Sequence, residues 1–198
     1  MMTKKVCIFG AHGVGKRSLT SRFRDNAAAE RYRAAIGVQV SKKEVVVGNQ
    51  SVTMAIWDVA DLDNFDRGLM NYSRGMSGYL LVADGTRPST LERAREIYEQ
   101  LCSFEEPPQS VENTSDAEPQ VNKACVQFPY REVPFILLLN KSDLVEQWRI
   151  EKSNLEMLAN KGWPVSVVSA KENEGVEEAF LSLGRRILNH PAAVAPEP

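Results

Sequence analysis

Gly10-Ala11-His12-Gly13-Val14-Gly15-Lys16-Arg17-Ser18 follows an apolar run, Val6-Cys7-Ile8-Phe9, and precedes the helically spaced Leu19 and Phe23. Strand, glycine-rich turn and helix, in that order, form the context of a phosphate-binding loop. Glycines at 10, 13 and 15 let backbone N–H groups turn inward around phosphate oxygens. Lys16 supplies a cation, and the helix N-terminus supplies its partial positive charge. The pattern G-x-x-x-x-G-K is complete, but Arg17 stands where a Ser or Thr normally closes the motif. Gly13, Val14, Gly15, Lys16, Arg17 and Ser18 are the candidate phosphate-binding residues.

Outward from this loop, β-rich runs alternate with amphipathic ones, so an α/β fold is expected, with a mostly parallel sheet and helices on both faces. The expected strands are residues 4–9, 38–47, 51–57, 79–83, 135–139 and 165–168, six in all. The second and third flank Gly48-Asn49-Gln50 and read as an antiparallel hairpin. Residues 26–37 and 58–70 read as polar loops, the second leading into a short helix. Helices are expected over 15–25, along the face Leu91, Ala94, Ile97, Tyr98 and Leu101, and over 146–161 with the stripe Trp148, Leu155 and Leu158. Val176, Ala179, Phe180, Leu183 and Ile187 mark a final helix.

The chain has 198 residues, 43% of them hydrophobic, enough for one domain with a substantial core. Its net charge of −2 argues against bulk nucleic-acid binding. Cys7, Cys102 and Cys125 are far apart, which fits neither a disulfide framework nor a zinc site and suits a reducing cytoplasm. Cys7, inside an apolar run, reads as a small core residue. No apolar stretch reaches the roughly 18 residues of a membrane span. Neither a signal peptide nor a prenylation cysteine is apparent, so no membrane anchor is expected. Residues 104–132 carry Pro107, Pro108, Pro119 and Pro129 with more acids than bases, and read as a flexible acidic insertion. Residues 190–198 read as a disordered tail, leaving 1–189 as the domain.

Two further motifs name a base. Asn140-Lys141-Ser142-Asp143 directly follows an apolar strand, where a carboxylate can accept hydrogen bonds from guanine N1–H and its 2-amino group. Ser169-Ala170-Lys171 follows the last strand, where a backbone N–H can meet guanine O6. Trp57-Asp58 closes the second hairpin strand, where an acid could reach a phosphate-bound metal. With these motifs in this order, the chain resembles the Ras-like small GTPases, nearest to the Rab and bacterial Roc-type branches, over about residues 3–189. The resemblance implies the P-loop NTPase fold, GTP or GDP as ligand, and protein effectors or regulators as partners. It assigns Gly13, Gly15 and Lys16 to the β- and γ-phosphates and Asn140, Lys141 and Asp143 to the guanine. Ser169, Ala170 and Lys171 complete the base pocket, and Asp58 matches the family's metal-linked aspartate. Residues 26–37 and 59–75 match the two switch loops.

The departures cluster. The family's Ser or Thr that ligates Mg²⁺ is Arg17, and its switch Thr, a second ligand of that ion, is Ala35. Asp61 replaces a glycine whose N–H meets the γ-phosphate, and Leu62 replaces the glutamine that orients the attacking water. Ala28 stands where a Phe often packs on the base, and His12 where a small residue is usual. His12 reads as a loop residue, with a phosphate contact as the alternative. Arg17 either swings into solvent or lends its guanidinium in place of the metal's charge. The resulting expectation is a cytoplasmic guanine-nucleotide-binding protein with slow or absent hydrolysis, a doubtful Mg²⁺ site, and a role as switch or scaffold. A nucleotide-free interaction module and a GTPase completed by a partner's catalytic residues are the alternatives.

Overall fold

The computed structural model describes residues 2–25, 31–35, 38–59, 72–103 and 132–190. Chain order is β1 (Met2–Gly10), α1 (Lys16–Asp25), β2 (Arg31–Ala35), β3 (Val38–Val47), β4 (Gln50–Val59), β5 (Gly78–Asp84), α2 (Pro88–Ser103), β6 (Phe135–Asn140), α3 (Lys152–Asn160), β7 (Val165–Val167) and α4 (Val176–Asn189). The strands form one sheet in the order β2-β3-β4-β1-β5-β6-β7. The β2–β3 and β3–β4 pairs are antiparallel and the remainder parallel.

The central strands are apolar throughout because helices cover both faces. Every residue of β5 is buried, as are Val6 to Phe9 of β1. Alternation along β1 divides the core in two. Val6 and Ile8 join Leu19 and Phe23 of α1 and Phe180, Leu183 and Ile187 of α4. Cys7 and Phe9 join Leu91, Ala94 and Ile97 of α2 and Leu158 of α3 on the opposite face. The Phe23 and Phe180 rings stack with centroids 4.0 Å apart, fixing α1 against α4.

All six expected strands are present, and β2 adds a seventh within residues 26–37, where a loop was expected. Its antiparallel pairing, Tyr32 opposite Val40 with a bulge between Arg33 and Ala35, joins it to the exposed edge of β3. The hairpin turn is tighter than expected, since Gln50 already pairs with Val47 and Gly48 takes φ +62°. The helix expected over 146–161 begins only at Lys152. Residues Val145–Gln147 form a 3₁₀ turn, and Trp148 is extended, with its indole N–H donating to the Ile150 carbonyl (2.9 Å). Trp148 therefore lies outside the helical stripe; its ring covers Gly85, where any Cβ would collide with it. The apparent 3.6-residue period in this stretch comes from a turn abutting a helix. Of the insertion expected over 104–132 all but Glu132, of the tail expected over 190–198 all but His190, and most of the expected second loop lie outside the described residues.

Register gathers the motifs at one edge. Gly10 ends β1 beside Val82, Asp84 ends β5 beside Asn140, and Asp58 lies beside Ile8. All lie at the carboxyl ends of parallel strands, where open α/β sheets bind ligands.

Candidate nucleotide site

The loop after β1 is shaped by close approaches. Gly10 sits at φ +149°, and a Cβ there would strike the Val82 carbonyl. Gly15, at φ +99°, leaves no room for a Cβ against the Asn140 amide. Val14 is wholly buried and anchors the loop in the core. The Lys16 ammonium donates to the carbonyls of Gly10 (2.7 Å) and Ala11 (3.0 Å), so the cation is gathered over the loop. Lys16 and Arg17 open α1, which has no acid in its first turn. Two cations against the positive end of the helix dipole are unfavourable by about 0.3–1 kcal/mol each, and a bound anion offsets that.

On the base side, Asn140 joins two loops. Its Nδ2 donates to the Val14 carbonyl (2.9 Å), and its Oδ1 accepts the Ala170 N–H (3.0 Å). Asp143 Oδ1 accepts from Ser169 Oγ (2.7 Å), while Lys171 Nζ lies 3.8 Å from Oδ2. Ser169 Oγ in turn accepts the Glu172 N–H (3.0 Å). Lys141 is left-handed at φ +70°, unusual for a residue with a Cβ and a mark of local strain held by its surroundings. A cavity of about 560 Å³ runs from Gly13 and Gly15 to Asn140, Lys141, Asp143 and Ala170.

Several contributors lie outside the sequence motifs. Arg22 of α1 donates from Nε to the Ala170 carbonyl and from Nη2 to that of Lys171, both at 2.9 Å. Asp84 is fully buried and accepts from Thr86 N–H (3.0 Å), Thr86 Oγ1 (2.7 Å) and Arg87 Nε (2.8 Å). Its Oδ2 also meets Lys141 Nζ at 2.7 Å. Burial alone would raise its pKa, but the bonds from Lys141, Thr86 and Arg87 outweigh that and hold it well below the usual carboxylate range. Arg87 Nη2 then donates to the His12 carbonyl (2.9 Å), so His12 ties the loop crest down through its backbone. The string Asp84-Gly85-Thr86-Arg87 after a buried strand was the available signal.

On the third side, Arg17 Nε lies 3.8 Å from Asp58 Oδ2, with Arg17 77% exposed and Asp58 4%. Beside them, a cavity of about 280 Å³ is lined by Arg17, Ser18, Thr20, Arg24, Gln39 and Asp58. Arg24 is buried, and its Nη2 donates to Ser21 Oγ (2.9 Å). Ala35 appears only through its backbone, paired with Val38. Ala28, Asp61 and Leu62 lie outside the described residues.

A lysine-bearing loop at the head of a helix, facing an Asn/Asp pair across a common cavity, defines a P-loop nucleotide-binding protein. A profile of the Ras family matches residues 5–114 and 105–189. The chain belongs to that family and is a Ras-like small GTP-binding protein. It is similar to Ras-related protein Rab-1A of Dictyostelium discoideum, 28% identical over 97% of this chain and 84% of that one. Ras-related protein RABA6b of Arabidopsis thaliana is 31% identical over 92% of this chain and 70% of its own. The Ypt/Rab-type GTPase YPT7 of Saccharomyces cerevisiae is 31% identical over 96% and 83%. No helix among the described residues is long and apolar enough to cross a membrane.

Proposed function

We propose that this chain binds GTP or GDP tightly, hydrolyses GTP slowly or not at all, and acts in the cytoplasm as a switch or scaffold for protein partners. The observation that carries the reading is Asp143, oriented by Ser169 beside a cavity continuous with the phosphate loop. A role as a bare scaffold gives no reason to keep a guanine-reading carboxylate in that posture. Slow turnover follows from Leu62, whose aliphatic side chain cannot orient water, and from Arg17 and Ala35, which carry no hydroxyl. Losing one preorganised transition-state contact lowers such rates by about 10²–10³. Residues 1–189 are read as one domain; the Ras profile matches it in two stretches, 5–114 and 105–189, that meet within 104–132, which supports reading that segment as an insertion.

Chromatography of the nucleotide released on denaturing freshly purified protein tests the binding. GDP or GTP is expected, whereas ATP or no nucleotide overturns the reading. Single-turnover hydrolysis of the loaded protein then tests the rate.

A further inference from the structure

The fold's metal position holds a donor set that does not suit a divalent cation. Mg²⁺ requires an octahedron of hard oxygens. Position 17 offers a guanidinium, which has no lone pair to give. The remaining acid, Asp58, is buried and already faces Arg17 Nε at 3.8 Å. The adjoining cavity adds a second guanidinium, that of buried Arg24. The charged side chains lining that cavity are thus two guanidiniums and one carboxylate, a lining that suits an anion better than a cation.

We infer that Arg17, held by Asp58, is the resident cation of this site, and that guanine nucleotide binds here without a divalent metal. The inference rests on the nucleotide-binding reading above and adds how phosphate charge is balanced. Arg17 follows Lys16 at the start of α1, so a guanidinium over the loop mouth can donate two parallel hydrogen bonds to phosphate oxygens while Asp58 fixes its near side. Its 77% exposure leaves the fork accessible to a ligand. The unfavourable position of a cation at a helix N-terminus becomes favourable once an anion lies between the two.

The test is titration of nucleotide-stripped full-length protein with a fluorescent GDP, in millimolar Mg²⁺ and in EDTA. Wild-type Kd is expected to agree within about threefold between the buffers, and R17S to bind at least about tenfold more weakly in EDTA, with Mg²⁺ restoring part of the loss. Because Arg17 is exposed, R17S is expected to melt with wild type, which circular dichroism checks. An R17K arm keeps one charge without the fork and is expected to fall between the two. Wild-type affinity that drops more than about tenfold in EDTA overturns the inference, as does R17S binding as tightly as wild type in EDTA. Tight binding confined to Mg²⁺ overturns the Arg17 assignment alone, whereas no binding in either buffer overturns the nucleotide reading with it.

Discussion

Lys141 Nζ meets the buried Asp84 carboxylate at 2.7 Å, so the lysine of the base motif is held from beneath by an acid at the end of the neighbouring strand. The strand register sets this up, because Asp84 lies directly beside Asn140. The same carboxylate accepts from Arg87, which donates to the His12 carbonyl, so one buried charge supports both the loop after β6 and the loop after β1.

D84N is expected to destabilise the fold by roughly 2–3 kcal/mol, since its cationic partners keep partial access to water. The effect depends on pH with a definite sign. The folded carboxyl titrates below its unfolded value, so its contribution is complete above about pH 4, where an unfolded Asp is ionised, and is withdrawn as the pH falls further. Melting temperatures across pH 2–8 should show a constant gap between wild type and D84N at neutral pH that narrows in acid. A gap that persists unchanged to low pH contradicts the assignment.

R22A removes both bonds to the Ala170 and Lys171 carbonyls at the wall of the cavity. Nucleotide affinity is expected to fall about 5- to 30-fold, equivalent to 1–2 kcal/mol, mainly through faster dissociation. Stopped-flow release of a fluorescent GDP reads this directly. Unchanged release with a large drop in melting temperature would make Arg22 a fold residue instead.

F180A deletes one of the two stacked rings joining α1 to α4. A truncation of this size in a fully buried site costs about 3–5 kcal/mol. Urea denaturation should show the loss as an earlier midpoint with an unaltered slope.

Cys7 is buried in β1, and burial pushes its thiol up to about 12. Its reactive thiolate is therefore scarce at pH 8, whereas Cys102 is only partly buried. Mass spectrometry after brief iodoacetamide treatment should find label at Cys102 and none at Cys7, with Cys7 labelling only after denaturation.

The motifs that were legible in the sequence are those in which neighbouring residues share a task. Lys16 lies on its own loop, and Ser169-Ala170-Lys171 turns as one unit, so spacing alone locates them. Arg22 reaches the base loop only because α1 and the end of β7 are neighbours in space, and no local pattern encodes that. Arg17 and Asp58 each stand out in the sequence, but their pairing depends on β4 running beside β1. The edge strand β2 is not legible as a strand because an antiparallel edge needs only backbone partners, and Arg31-Tyr32-Arg33-Ala34-Ala35 carries no apolar alternation. Trp148 fits the helical stripe in sequence because periodicity cannot distinguish a turn from the helix it precedes.

The two hydrogen bonds of Asn140, to the Val14 carbonyl and from the Ala170 N–H, have a kinetic consequence. The crosslink between the loops after β1, β6 and β7 is made of protein groups alone and needs no ligand atom, so the ordering entropy of those loops is met by folding. Association should therefore proceed as a single bimolecular phase whose observed rate rises linearly with nucleotide concentration. A slow isomerisation after encounter would have to originate elsewhere in the chain.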